Sequence, residues 1–217
     1  MRCATTVVGL MVVSVVGALT ACSAEPAPSP SSSTATSPPA AGSAAAVVST
    51  SADGRASPGA AQIDVLRSRP VRLPSLAQGA RCPVTTEVAS PSTEIGPMLG
   101  LGPARPVGLA PFALLTIAPP QNYGSQRWGG DKVMWALSTE AGGPALIRGE
   151  QLDGDGEVRF GLGAVPSPEE VLDPSGRVPL AGGWFDFPGT TRVSGPGCYG
   201  YQIDTAAGTT VVVFEAT

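Results

Sequence analysis

The chain has 217 residues, 28 of them glycine and 23 proline, a formal net charge of −4 and no histidine. The missing imidazole excludes Ser-His-Asp and Cys-His catalysis and His-ligated zinc. So much glycine and proline argues for short strands and turns rather than helices.

Arg2 precedes an apolar run, Val7 to Leu19, broken only by Ser14 and two glycines. As helix, that run spans roughly 20 Å, short of the ~30 Å hydrocarbon core, so residues 1–21 read as a signal segment and not a membrane span. Leu19-Thr20-Ala21-Cys22 resembles the lipobox of bacterial lipoproteins. The resemblance implies cleavage before Cys22, a diacylglyceryl group on its sulfur and further acylation by palmitate-type chains. Two or three chains anchor stably where one binds only marginally. The protein is then expected at the outer face of the cytoplasmic membrane, with the membrane itself a partner through the anchor. An ordinary secretory signal with a chance cysteine is the alternative.

Residues 22–72 are expected to form a tether. Positions 23–60 hold 10 Ser, 11 Ala, 6 Pro and 3 Thr, too little apolar bulk to offset the entropy of ordering. Arg67, Arg69 and Arg72 end it as a small basic cluster, placed either to touch membrane or wall polymer or to pack onto the domain that follows.

Residues 73–217, about 140 residues and enough for one domain with a core, carry recurrent period-two alternation. Phe112 to Ala118 reads as a buried strand between prolines, and Val133, Trp135 and Leu137 alternate on another. Ala145 to Leu152 and Glu157 to Leu162 flank Asp153-Gly154-Asp155-Gly156, a hairpin signature. Trp184 to Phe187 and Thr190 to Ser194 follow, then Cys198 to Asp204 and Thr209 to Ala216 around a short turn. Short strands at this spacing predict an all-β fold, an antiparallel sandwich of Ig-like character. With Cys3 lost and Cys22 lipidated, Cys82 and Cys198 form an even pair that favours a disulfide in an oxidising compartment, two free thiols being the alternative. It would tie the first strand of the domain to its penultimate one. Tyr199 and Tyr201 alternate with Cys198, so one strand face can carry the bridge and the other aromatic packing.

Residues 80–217 hold 8 basic and 14 acidic side chains, a net of −6, which makes nucleic acid a poor partner. Asp153, Asp155 and Glu157 mimic the start of a calcium loop, but Val158 and Ala164 stand where it needs glycine and glutamate. Ser167-Pro168-Glu169-Glu170 reads as a capping box opening one helical turn. No catalytic residue, metal ligand or cofactor site is assigned. Tyr123 and Trp128, in the glycine-rich stretch 122–131, and Arg148, mid-strand beside Ile147, are the candidate ligand surface. The aromatics could stack on sugars or anchor a peptide, or simply cap the core. Arg148 could meet a ligand or pair with a carboxylate.

Leu73-Pro74, Cys82-Pro83-Val84-Thr85, Lys132 to Trp135, Leu146 to Gly149, Val158 to Gly161 and Pro196 to Asp204 together resemble an uncharacterised family of high-GC bacterial extracytoplasmic proteins. The resemblance covers most of 73–217 and brings no activity with it. The expected function is a non-catalytic binding or accessory module of the cell envelope, its partner an envelope protein or polymer. Two alternatives remain. One is a hydrolase of wall or surface polymer using two of Asp131, Glu150, Asp153, Asp186 and Asp204; the other is a purely structural envelope protein.

Overall fold

A computed structural model describes residues 58–217; the signal segment, Cys22 and tether residues 22–57 lie outside the described residues. The chain opens with helix α1, Pro58–Arg67, and then runs through thirteen short strands. These are β1 (Glu87–Val88), β2 (Met98–Leu99), β3 (Ala104–Val107), β4 (Leu114–Leu115), β5 (Gly129–Lys132), β6 (Met134–Ser138) and β7 (Ala145–Gln151). After them come β8 (Val158–Phe160), β9 (Glu170–Leu172), β10 (Trp184–Phe187), β11 (Thr190–Val193), β12 (Gly197–Thr205) and β13 (Gly208–Ala216). The fold is all-β and sandwich-like, as the alternation predicts.

The long β12–β13 hairpin is the spine of one sheet, ordered β4-β13-β12-β7-β9 and antiparallel except for the β4–β13 pair. Facing it is a sheet ordered β1-β2-β3-β6-β10. That sheet bends at Val133 and at Pro188-Gly189, where β6 gives way to β5 and β10 to β11. Beyond the bend lies a third sheet, β5-β11-β8. The amide of Val133 still donates to the Gly189 carbonyl across the break, at 3.2 Å. Single bridges at Ala118–Gly130 and Glu150–Glu157 link the strands at this end, so few backbone edges stay open.

Alternation on β12 sends Tyr199, Tyr201 and Ile203 into the main core with Trp135, Phe160 and Phe214. Tyr201 stacks on Phe214 at 4.5 Å between centroids and meets Trp135 edge-on at 5.0 Å. Such contacts add about 0.5–1.5 kcal/mol each beyond area burial. The buried Tyr201 hydroxyl donates to Thr191 Oγ1 and the Tyr199 hydroxyl to the Gly195 carbonyl, both at 2.7 Å, which satisfies the two hydroxyls that β12 carries inward.

The opposite face of β12 is also buried, under residues expected to lie in the tether or at its border. Ile63 and Leu66, one helical turn apart on α1, pack on Leu146 and Val171. The Ala/Ser/Pro-rich composition ends at residue 60, ahead of this apolar pair, so the tether ends earlier than expected. Arg67 ties the helix end to Asp64 and to Glu169. From Arg69 to Thr85 the chain forms an extended strap running antiparallel to β12. Arg69 Nη1 donates to the Thr205 carbonyl at 2.9 Å, and Gln202 receives the Arg72 amide and donates to the Pro70 carbonyl. Leu73 sits over Gly200, the Leu76 amide reaches the Leu152 carbonyl at 2.6 Å, and the Thr85 amide reaches the Val213 carbonyl at 2.9 Å. The basic cluster therefore docks on the domain.

Cys82 and Cys198 form the disulfide, with Cα atoms 5.4 Å apart, inside an apolar cluster of Leu152, Val213, Leu73 and Leu76. Cys82 belongs to the strap ahead of β1, so the bridge joins strap to penultimate strand rather than strand to strand. Two local expectations also change. The Ser167 hydroxyl does accept from the Glu169 amide at 3.2 Å, but the chain then extends into β9 because Leu172 is buried in register with Ala145. Of the apolar run 112–118 only Leu114–Leu115 is strand, and Phe112 is 75% exposed.

Candidate functional site

The outer face of the β5-β11-β8 sheet carries a cluster of arginine and aromatic side chains. Register places Arg192 on β11 between Gly130 on β5 and Arg159 on β8. Arg192 is fully buried. Its guanidinium lies 3.9 Å from the Tyr123 ring centroid. Its Nε donates to the Trp128 carbonyl at 3.0 Å, Nη2 donates to the same oxygen, and Nη1 donates to the Gly163 carbonyl at 3.1 Å. Gly161 and Gly163 hold left-handed conformations, φ +84° and +95°, that a side chain would disfavour and that let this loop curl around the cation. Burial lowers the Arg192 pKa, yet an arginine keeps its charge at any physiological pH. Tyr123 closes the arrangement by donating to the Gly130 carbonyl at 2.9 Å. Burial raises its hydroxyl pKa, assisted by Asp131 and opposed by Arg192.

Trp128 sits directly above. The buried Ser125 hydroxyl accepts from the amides of Arg127 and Trp128, at 3.2 and 3.0 Å, and so fixes the turn that presents the indole. The Arg127 guanidinium lies 4.4 Å from the indole centroid and that of Arg159 lies 5.4 Å away. One carboxylate, Glu157, joins both cations, at 3.0 Å from Arg159 and 3.5 Å from Arg127. Each cation–π contact at such a surface stabilises by about 0.5–1 kcal/mol. The indole is half-buried and held in place rather than swinging on its loop.

Arg159 also lines a groove of about 180 Å³ that continues to Val71, Arg148, Gly149 and Glu150. Arg148 Nη2 donates to Asp204 at 2.8 Å, while its buried Nε has no partner among the described residues. Asp204 is fully buried beneath the strap. It accepts from Gln202 Nε2 at 2.9 Å and Thr209 Oγ1 at 2.6 Å, with Arg69 at 3.7 Å. Burial alone would raise its pKa, but the hydrogen bonds from Gln202, Thr209 and Arg148 outweigh burial and hold it below the usual carboxylate value.

Tyr123 and Trp128 therefore meet at Arg192, and Arg148 joins them through Arg159. Arg148 does pair with a carboxylate while also lining the groove. Arg127, Arg159 and Arg192 complete the face without being singled out in the sequence, and Glu157, which there only mimics a calcium-loop residue, joins them. Arg159, between inward Val158 and Phe160, carried a readable signal as an outward residue on a strand. Arg192 carried none, because nothing local marks an arginine as buried.

The five candidate hydrolytic carboxylates sit in different surroundings. Glu150 lines the Arg148 groove and Asp204 is sealed. Asp153 accepts from Gln151 Nε2 and the Cys198 amide and lines a separate cleft of about 280 Å³ beside the disulfide, with Arg81, Phe112 and Glu215. Asp131 is exposed on β5, where it accepts from the Lys132 amide, and Asp186 lies on β10. Among the described residues no group of three or more Cys, Asp or Glu is arranged to hold a metal ion.

No protein-family description, curated protein or solved structure matches this chain.

Proposed function

We propose that this chain is a lipoprotein, anchored by acylated Cys22 outside the cytoplasmic membrane, whose sandwich domain is a non-catalytic binding or accessory module of the cell envelope. The observation that carries the reading is Trp128. A half-buried indole flanked by two guanidinium groups, which one carboxylate ties together, is a rigid, amphipathic contact surface that loses little entropy on binding. The separate surroundings of the five candidate carboxylates favour binding over hydrolysis, since paired-carboxylate hydrolysis needs two such groups flanking one bond. The lipobox resemblance supports the anchor and the compartment, and a disulfide accords with an oxidising one.

Two experiments test this. The full chain with Cys22→Ala is expected to lose all metabolic labelling by radioactive palmitate; labelling at the wild-type level refutes lipidation. Affinity capture from solubilised envelope with the full chain is expected to retain a component that Trp128→Ala loses at least tenfold, with an unchanged circular-dichroism spectrum. Equal retention by both proteins removes Trp128 from the function.

A further inference from the structure

We infer that the Trp128 face binds an anionic polysaccharide, its guanidinium groups meeting the acid groups and its indole and groove meeting the sugar rings. The inference rests on the binding-module reading and names the ligand class.

The first support is the placement of charge. Residues 80–217 carry 8 basic against 14 acidic side chains. Four of those eight, Arg127, Arg148, Arg159 and Arg192, are gathered around this one face. Arg148 pairs with buried Asp204, Arg127 and Arg159 share a single carboxylate, Glu157, and Arg192 takes part in none of the ion pairs of the described residues. Every hydrogen bond Arg192 makes goes to a neutral carbonyl. A buried cation without a counter-ion is costly, and its field is screened little by solvent. It therefore leaves positive potential behind Trp128 that a bound anion would complement. Asp131 beside Tyr123 bounds the patch, and Glu150 and Glu157 line the groove together with Arg148 and Arg159.

The second support is the unpartnered Nε of Arg148, a buried donor on a residue that lines the groove. Buried donors are nearly always paired, and an unpaired one leaves the Arg148 guanidinium with hydrogen-bonding capacity that Asp204 does not use. Planar guanidinium forks match carboxylate and phosphate oxygens. The indole and the adjoining groove form two neighbouring subsites, which suits a chain of repeating units.

A peptide fits less well. Extended peptides are recognised by adding to a free strand edge. Here β11 is paired on both sides, and β8 pairs with β11 while touching β7 and Ser167. This face offers side chains and no free backbone edge.

The test is titration of the full chain in detergent with polygalacturonate, phosphomannan, uncharged dextran and polyglutamate. Binding is read by calorimetry and by tryptophan fluorescence. Trp135 and Trp184 are 0% and 7% exposed, so Trp128 is the responding ring. At least one of the two anionic polysaccharides is expected to bind. Binding of polygalacturonate alone assigns a carboxylate ligand, and of phosphomannan alone a phosphodiester. Affinity should fall at least tenfold in Arg159→Gln and in Arg127→Gln, recover in part in Arg127→Lys, and weaken steeply with salt. The Arg127 side chain is 60% exposed, so its variants report on binding rather than folding. Dextran bound as tightly, polyglutamate bound as tightly, or neither anionic polysaccharide bound overturns the inference. A capture that still depends on Trp128 would leave the binding-module reading standing in each of those cases.

Discussion

Replacing Cys82 and Cys198 together with alanine is expected to lower the unfolding free energy by about 3–5 kcal/mol. The bridge closes a loop with a sequence separation of 116. In the chain-entropy picture a loop of that size restricts the unfolded ensemble strongly, and alanine also vacates space in the Leu152–Val213 cluster. Without the bridge, Leu73 packing, the Leu76–Leu152 hydrogen bond and the Thr85–Val213 pair must hold the strap alone. Urea unfolding of the oxidised, reduced and double-alanine proteins checks this. The last two should both fall well below the first, the double-alanine protein the lower of the two because it also loses the sulfur packing. A loss under about 1 kcal/mol would mean that packing holds the strap without covalent help.

Asp204→Ala is expected to cost about 3–5 kcal/mol, the range seen when one partner of a buried ion pair is removed. The substitution strands Arg148, whose Nε already lacks a partner, and leaves Arg69 held to the sheet only by the Thr205 and Gly208 carbonyls. Because Arg69 is followed by Pro70 and Arg72 in the strap, limited proteolysis should cut the variant near residues 69–72 and spare the wild type. The same carboxylate predicts a pH dependence. Its folded pKa lies below the ordinary value of 3.8. Its stabilising contribution is therefore complete above that value and is lost as pH falls through the depressed folded pKa. Between about pH 5 and 2 the wild type should lose more stability than Asp204→Asn. Parallel pH profiles for the two proteins would show that Asp204 is not ionised in the fold.

Much of the fold is legible because it is local. The β12–β13 hairpin announces itself through period-two alternation interrupted by turn residues, its ends lying within a few residues in the chain. Of the hairpin expected around Asp153 to Gly156 only the Glu150–Glu157 bridge forms, β7 and β8 belonging to different sheets. Elements set by distant partners are not legible in this way. β9 is a strand because β7 lies beside it, and its own Ser-Pro-Glu-Glu start favours a helix. The break at Val133 passes unseen because Val133 continues the alternation, while the bend answers to Pro188-Gly189 on the paired strand. α1 depends on Ile63 and Leu66 finding Leu146 and Val171 across more than eighty positions. The same holds at the candidate site. Trp128 and Tyr123 stand out as aromatics in a glycine-rich loop, whereas Arg192 acquires its place only when three separate segments fold around it.

The strap and its bridge also decide how the domain would bear a mechanical load. A pull entering at Pro58 reaches α1 first and then the contacts at Arg69, Gln202, Leu73 and Leu76, which can yield one after another. Each is a non-covalent contact of modest strength, so the series acts as a shock absorber. The load then stops at a covalent bond. Through Cys198 it passes to β12, which is flanked by β13 on one side and β7 on the other. Tension is thus delivered to a strand paired along both edges.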